Sequence, residues 1–363
     1  MPLTRLLRLQ GRLESQQLAG IIVTKAIHVQ YLSGFSGSEA QLLVLPDQAY
    51  LCTDFRYIEQ AEKEAQGWEI VKHDGDWQQI IKNLWTNKEA RLGFEAEHLS
   101  YSDWEKLARQ LPAVNLSPTS GLIEGLRAQK DQQELMLLKK AIALADKGAE
   151  HLSPLLIPGC TEREVAEELE LFLRRQGAEK AAFPFIIASG ARGSLPHGIA
   201  SDKIIEAGEM VTVDFGAVYQ GYHSDLTRVF VLGEPTAKQR SIYEIVLAAQ
   251  ASAIARAGPN VPCMEVDKAA REVIIAANYG DYFGHATGHG VGLEIHEAPR
   301  LSSQSADVLS PGMVVTVEPG IYLPNWGGVR IEDIILITDH GVEVLSQSPK
   351  NCLMFGGRKN DFK

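Results

Sequence analysis

The chain has 363 residues, 45% of them hydrophobic and 22% charged, with a mean hydropathy of −0.09, the make-up of a globular protein long enough for two domains. Its formal net charge of −11 argues against nucleic acid or an anionic membrane as a partner, since both would repel it. Small or peptidic substrates suit that balance better. The four cysteines, Cys52, Cys160, Cys263 and Cys352, show no C-x-x-C spacing, so free thiols in a reducing compartment are expected. The charged opening from Met1 to Arg8 lacks a signal-peptide core, and no run approaches bilayer length, which makes a cytoplasmic protein the expectation.

In chain order, residues 1–121 read as an α/β unit. An amphipathic helix opens it, followed by an apolar strand at Ile21–Thr24 and two strands, Gln41–Leu45 and Ala49–Cys52, joined at Pro46-Asp47. A further strand at Leu92-Gly93-Phe94 leads through Ser100 into a helix over Tyr101–Leu111. The turn-forming run Ser117-Pro118-Thr119-Ser120-Gly121 marks the expected boundary with a second domain, 122–363.

The second domain begins with a helix over Asp131–His151, whose Leu135, Leu138, Ile142 and Ala145 share one face. Thr161-Glu162-Arg163-Glu164 has capping-box spacing and opens another helix. A long hairpin follows over Glu209–Leu232. The order then recurs as helices near 236–257 and 263–277 and a second hairpin, Met313–Ile337. Each copy spans roughly a hundred residues, so the domain reads as an internal repeat.

Each hairpin carries two acids among alternating apolar residues. Asp214 and Asp225 are equidistant from Tyr219-Gln220, which predicts that they oppose each other across the first hairpin. Glu318 and Glu332 are equidistant from Asn325 in the second. Four carboxylates in apolar strands demand compensation, either by Arg228 and Arg330 or by a cation. Between the hairpins, glycines flank His289 and allow close approach to whatever the imidazole binds. An oxygen-rich set with one imidazole suits two divalent ions, Mn²⁺ above all, with Co²⁺, Fe²⁺ or Zn²⁺ also compatible.

These residues resemble the pita-bread metallopeptidases, the family of methionine aminopeptidase, aminopeptidase P and prolidase. The resemblance is carried by Val213-Asp214-Phe215-Gly216, Ser224-Asp225-Leu226-Thr227-Arg228, Thr287-Gly288-His289-Gly290-Val291-Gly292, Val317-Glu318-Pro319-Gly320 and Arg330-Ile331-Glu332-Asp333. In the first domain, Tyr31–Ser38 and Thr53–Tyr57 look like the creatinase-type amino-terminal domain of the proline-specific branch. The resemblance implies an α/β (α+β) chain with a creatinase-like amino-terminal domain before a pseudo-symmetric catalytic domain. It implies Asp214, Asp225, His289, Glu318 and Glu332 as metal ligands. It further implies hydrolysis of the bond between an amino-terminal residue and proline, in Xaa-Pro dipeptides or longer peptides, by a metal-bridging hydroxide.

By the same resemblance, His197 and His296 contact the scissile region and Glu318 shuttles the proton, while His285 lines the pocket. Arg300 is the expected contact for a dipeptide carboxylate, and Arg330 an outer partner of the ligands. A homodimer is implied, with Asp54 and Arg56 as contributors to the neighbouring cleft. Two other readings compete: a catalytically silent binding module of the same fold, and a metal-independent, creatinase-like C–N hydrolase. Retention of all five ligand types opposes both.

Overall fold

Apolar runs such as Gly20–Val23 and Gln41–Val44 are too short for helices, and they lie fully buried as strands in the computed structural model, which describes residues 2–87 and 89–350 and the backbone of 354–355. The chain divides into two units, Met1–Arg127 and Ala128–Lys363, a division six residues beyond the turn-forming Gly121.

In the first unit the elements run α1 (Pro2–Ser15), β1 (Gly20–Val23), α2 (Ala26–Ser33), β2 (Gln41–Val44), β3 (Ala49–Thr53), α3 (Ile58–Glu64), β4 (Glu69–Lys72), α4 (Trp77–Leu84), β5 (Arg91–Glu95), α5 (Tyr101–Gln110), β6 (Asn115–Thr119) and α6 (Glu124–Arg127). The strands form one six-stranded sheet in the order β4-β3-β2-β1-β5-β6. Ser100 caps α5 by accepting from the Asp103 amide. Ser117-Pro118-Thr119, expected as a turn, is instead strand: β6 is the sheet edge, where the missing proline N–H is tolerated.

The second unit continues with α7 (Gln132–Leu152), α8 (Glu162–Arg175), β7 (Lys180–Ala181), β8 (Ile186–Ser189), β9 (Met210–Phe215), β10 (Ala217–Tyr219), β11 (Tyr222–His223) and β12 (Leu226–Val231). It then repeats helix pair and strands as α9 (Ala237–Arg256), α10 (Cys263–Ala276), β13 (Gly288–Gly290), β14 (Glu297–Leu301), β15 (Val314–Val317), β16 (Gly320–Leu323), β17 (Gly327–Arg330), β18 (Asp333–Thr338) and β19 (Gly341–Val344). Both halves of the capping box form at Thr161 and Glu164, and Asp131 with Glu134 builds another on α7.

Each half has its own apolar core. Leu169 and Leu173 of α8 pack with Phe215 and Phe230 in one, and Ile242, Val246 and Val266 pack with Ile335 in the other. Burial of such side chains contributes about 1.5–3 kcal/mol apiece and holds each hairpin flat against its helix pair. Among the described residues no helix is long and apolar enough to cross a membrane. Cys52, Cys160 and Cys263 are free thiols, and Cys352 lies outside the described residues.

Candidate metal centre

The first hairpin turns at Gln220-Gly221, where both residues have positive φ, 47° and 81°. That is the signature of a two-residue turn whose twist matches the strands. It moves the centre of the hairpin beyond Tyr219-Gln220 and corrects the expected register: Asp214 pairs with Thr227, not with Asp225. Asp225, just before β12, reaches the same face diagonally, two residues from Thr227. In the second hairpin, Val317 pairs with Asp333 and Gly320 with Arg330. Glu318 and Glu332 fall between those pairs and face each other where the ladders break, as the spacing predicts.

His289 lies within β13 rather than in a loop. The glycines beside it are packed tightly against neighbouring backbone, and Gly288 also lines the cleft with His289. A Cβ on Gly288 would meet the Thr316 carbonyl at 2.0 Å, and one on Gly290 the Ala298 carbonyl at 2.2 Å. These contacts press β13 between β15 and β14 and so fix the imidazole in depth. Its Nδ1 is 3.0 Å from the Gly290 carbonyl, which takes an N–H there and leaves Nε2 facing the acids, as a donor to Glu318 when the ring is protonated and as a lone pair for a cation when it is not. Nε2 stands 3.3 Å from Glu318 and 3.5 Å from Asp225.

One ligand atom from each of Asp225, His289 and Glu332 fits within a 4.8 Å span. Around them, Arg330 donates to Asp214 at 2.6 Å, to the Tyr322 hydroxyl at 2.8 Å and to the Pro196 carbonyl at 3.2 Å. Thr227 couples the hairpins, donating to Glu332 at 2.7 Å while accepting from Arg330 at 3.1 Å. Sequence reasoning missed Thr227 and Tyr322. Their signal was present, since each sits on the strand face already occupied by an acid or by Arg330. Arg228, the other expected partner of the acids, pairs with Asp333 at 2.8 Å instead.

The electrostatics are unbalanced. Burial and the mutual repulsion of the carboxylates push Asp225 and Glu332 well above the usual carboxyl range. Asp214 is raised by burial despite Arg330. Glu318 is the exception: burial opposes ionisation, but the hydrogen bond and charge of His289 hold it down at about 2. Burial would lower His289, yet Glu318 raises it. Asp214 Oδ1 and Glu332 Oε1 are buried without a hydrogen-bond partner. Orphaned carboxylate oxygens beside an available imidazole nitrogen are a donor set that fits divalent cations.

The five residues open onto a cleft of about 630 Å³, which His197, His285, His296 and Arg300 also line. The His296 ring stands edge-on to His289, centroids 4.4 Å apart, and burial lowers its pKa. His285 has both nitrogens engaged, with the Ala286 carbonyl and the Tyr322 hydroxyl, each at 2.8 Å. Arg300 is exposed at the rim. Phe183, Pro184, Ile186 and Ile295 supply an apolar wall.

Residues 136–339 match the model of metallopeptidase family M24, and residues 5–129 match the creatinase/prolidase N-terminal domain. The Xaa-Pro dipeptidase of Pyrococcus furiosus is 42% identical over 96% of this chain and 99% of its own. An Xaa-Pro dipeptidase structure from Bacillus anthracis is 44% identical with a TM-score of 0.93, covering 98% of this chain and 100% of that one. An X-Pro aminopeptidase structure from Thermotoga maritima is 34% identical with a TM-score of 0.87, covering 95% and 99%.

Proposed function

The chain belongs to metallopeptidase family M24, with a creatinase/prolidase N-terminal domain ahead of a pita-bread catalytic domain, and from that premise we propose that it is a metal-dependent exopeptidase cleaving the bond between an amino-terminal residue and proline. The observation that carries the reading is the cleft in which Asp214, Asp225, His289, Glu318 and Glu332 converge with two orphaned carboxylate oxygens. Relatives named as Xaa-Pro dipeptidases, at 42% and 44% identity, support the proline-directed substrate.

Those five residues would hold two divalent ions, Mn²⁺ first among them. When bound, such ions supply Lewis acidity and make a water molecule nucleophilic at neutral pH. The chain's own groups do the rest. In this reading Glu318 takes the proton released as water attacks the carbonyl of the first residue, then delivers it to the proline nitrogen. That delivery matters because a prolyl nitrogen carries no proton of its own in the peptide. In this reading His296, whose pKa burial lowers, and His197 hydrogen-bond the developing charge, a role supported by their both lining the cleft. His285, with both nitrogens engaged, presents its ring to the cleft rather than a free donor.

Arg300 at the rim is the residue for a substrate carboxylate, which makes dipeptides the preferred length. A homodimer in the cytoplasm is the setting that fits this reading, with the exposed Arg56 and the half-buried Asp54 it pairs with at 2.6 Å as candidates for contact with a neighbour. The test is an activity profile over Xaa-Pro and Xaa-Pro-Yaa peptides. Chelation should abolish hydrolysis, Mn²⁺ or Co²⁺ should restore it, and activity should fall beyond the dipeptide. Chelator-resistant hydrolysis would remove the metal from the reading, and undiminished cleavage of longer peptides would make it an aminopeptidase.

A further inference from the structure

Glu162 is the first residue of α8, yet its side chain is wholly buried and the helix does not need it. The capping box uses Thr161 and Glu164, so the end of the helix is satisfied without Glu162. A carboxylate removed from water must be compensated where it goes. Here it accepts from the Ser189 amide and hydroxyl, both at 2.8 Å, and from the Ser201 amide at 3.2 Å and hydroxyl at 2.7 Å. Arg192 completes the shell as its ion-pair partner and also donates to the Ile199 carbonyl at 2.8 Å.

Ser189 and Ser201 flank one loop and Arg192 lies within it; the loop leaves β8 at Ser189, returns at Ser201 and carries His197 at the cleft. On its other side the loop meets the metal centre directly, since Arg330 donates to the Pro196 carbonyl at 3.2 Å. Its first turn lies flush against β17, where a Cβ on Gly328 would meet the Gly193 carbonyl at 2.1 Å. The second half of the unit uses the same device. Asp267 of α10, fully buried, accepts from Thr287 through its amide at 3.2 Å and its hydroxyl at 2.8 Å, and pairs with Arg271. Arg271 in turn donates to the His285 carbonyl at 2.9 Å. In each repeat, a buried carboxylate on the second helix and an arginine clamp the segment that brings a histidine to the cleft.

We propose that Glu162 is a positioning residue for His197: by gripping both stems of the 189–201 loop, it sets where that imidazole stands relative to Arg330 and the acids. The proposal rests on the function inferred above for the substrate, but its geometry does not. A displacement of about 1 Å at a catalytic group can cost on the order of a hundredfold in rate.

The test compares Glu162→Gln, and the milder Ser201→Ala, with the parent in metal-replete protein. Hydrogen exchange should rise across 189–203 and stay unchanged across both hairpins, with metal content intact. On an Xaa-Pro dipeptide, kcat should fall roughly 10- to 100-fold with KM little changed. In a His197→Ala background the same substitution should add almost nothing. Losses that multiply in that background, or a faster-exchanging loop with unchanged kcat, would overturn the proposal. Carbethoxylation of His197, followed by peptide mass, needs no turnover and should accelerate in Glu162→Gln. An unchanged labelling rate refutes the positioning role even if the parent cleaves no Xaa-Pro peptide, a result that would separately defeat the substrate reading.

Discussion

The two hairpins deliver two acids each to one cleft, but they do so by different geometry and with different compensation. The first, closed by the tight turn at Gln220-Gly221, sets Asp214 opposite Thr227 and brings Asp225 in diagonally. The second, with a wider turn around Asn325, keeps Glu318 and Glu332 face to face. In the first, Arg330 neutralises Asp214 at 2.6 Å; in the second, Glu318 has His289 at 3.3 Å. Among the described residues no lysine or arginine hydrogen-bonds the carboxylate of Asp225 or Glu332, and these are the two raised well above the carboxyl range. Each hairpin thus holds one acid matched by a group from another strand of the unit, Arg330 of β17 or His289 of β13, and one awaiting charge from outside the protein. Together the unmatched pair and His289 form the tight 4.8 Å group.

The comparison breaks most severely at the residue both hairpins share. His289→Ala should cost more than about a hundredfold in metal affinity and activity, measured by metal titration alongside peptide hydrolysis. Full activity with unchanged metal content would end the ligand reading. Thr227→Val cuts the link between Glu332 and Arg330 while keeping shape, and should weaken metal binding by about 10- to 100-fold. Unchanged affinity would mean that the hairpins act independently.

A smaller effect concerns pH in the metal-free protein. The folded-state pKa of Glu332 is raised, so its protonated form is favoured by folding at pH values below the unfolded pKa, and this contribution is lost as pH rises through the folded pKa. Glu332→Gln should therefore match the parent in stability near pH 4 and exceed it near pH 7, by about 2–4 °C for each kcal/mol. Thermal melts with chelator at both pH values measure this, and a difference independent of pH would place the repulsion elsewhere. Smallest is Gln220→Gly. Relief of the left-handed backbone at φ 47° should raise stability by about 0.5–1 kcal/mol without changing kcat.

Much of the second unit was legible because period-2 alternation and equidistant acids read directly as hairpins. The register of the first was not. The reading placed the turn at Tyr219-Gln220, whereas the chain accepts positive φ at a glutamine, which local preference disfavours. In the first unit, β4 and β6 went unread for different reasons. The side chains of β4 are half-buried or exposed and show no apolar run, and β6 hides its edge position behind Pro118. Thr227 and Tyr322 were missed because hydroxyls in strands look like ordinary β formers until their partners across the sheet are known. Glu162 was noticed only as part of a capping motif, since nothing local announces that its carboxylate turns inward.

The buried oxygens of Asp214 and Glu332 that lack a partner bear on the life of the protein as well as its chemistry. A ligand that binds only the folded form adds RT ln(1 + [L]/Kd) to its stability, so an ion settling among those oxygens becomes part of what keeps the chain folded. Protein that has not yet acquired its ions would open more often and be cut sooner by proteases. Metal supply would then set how long a molecule survives, as well as whether it works.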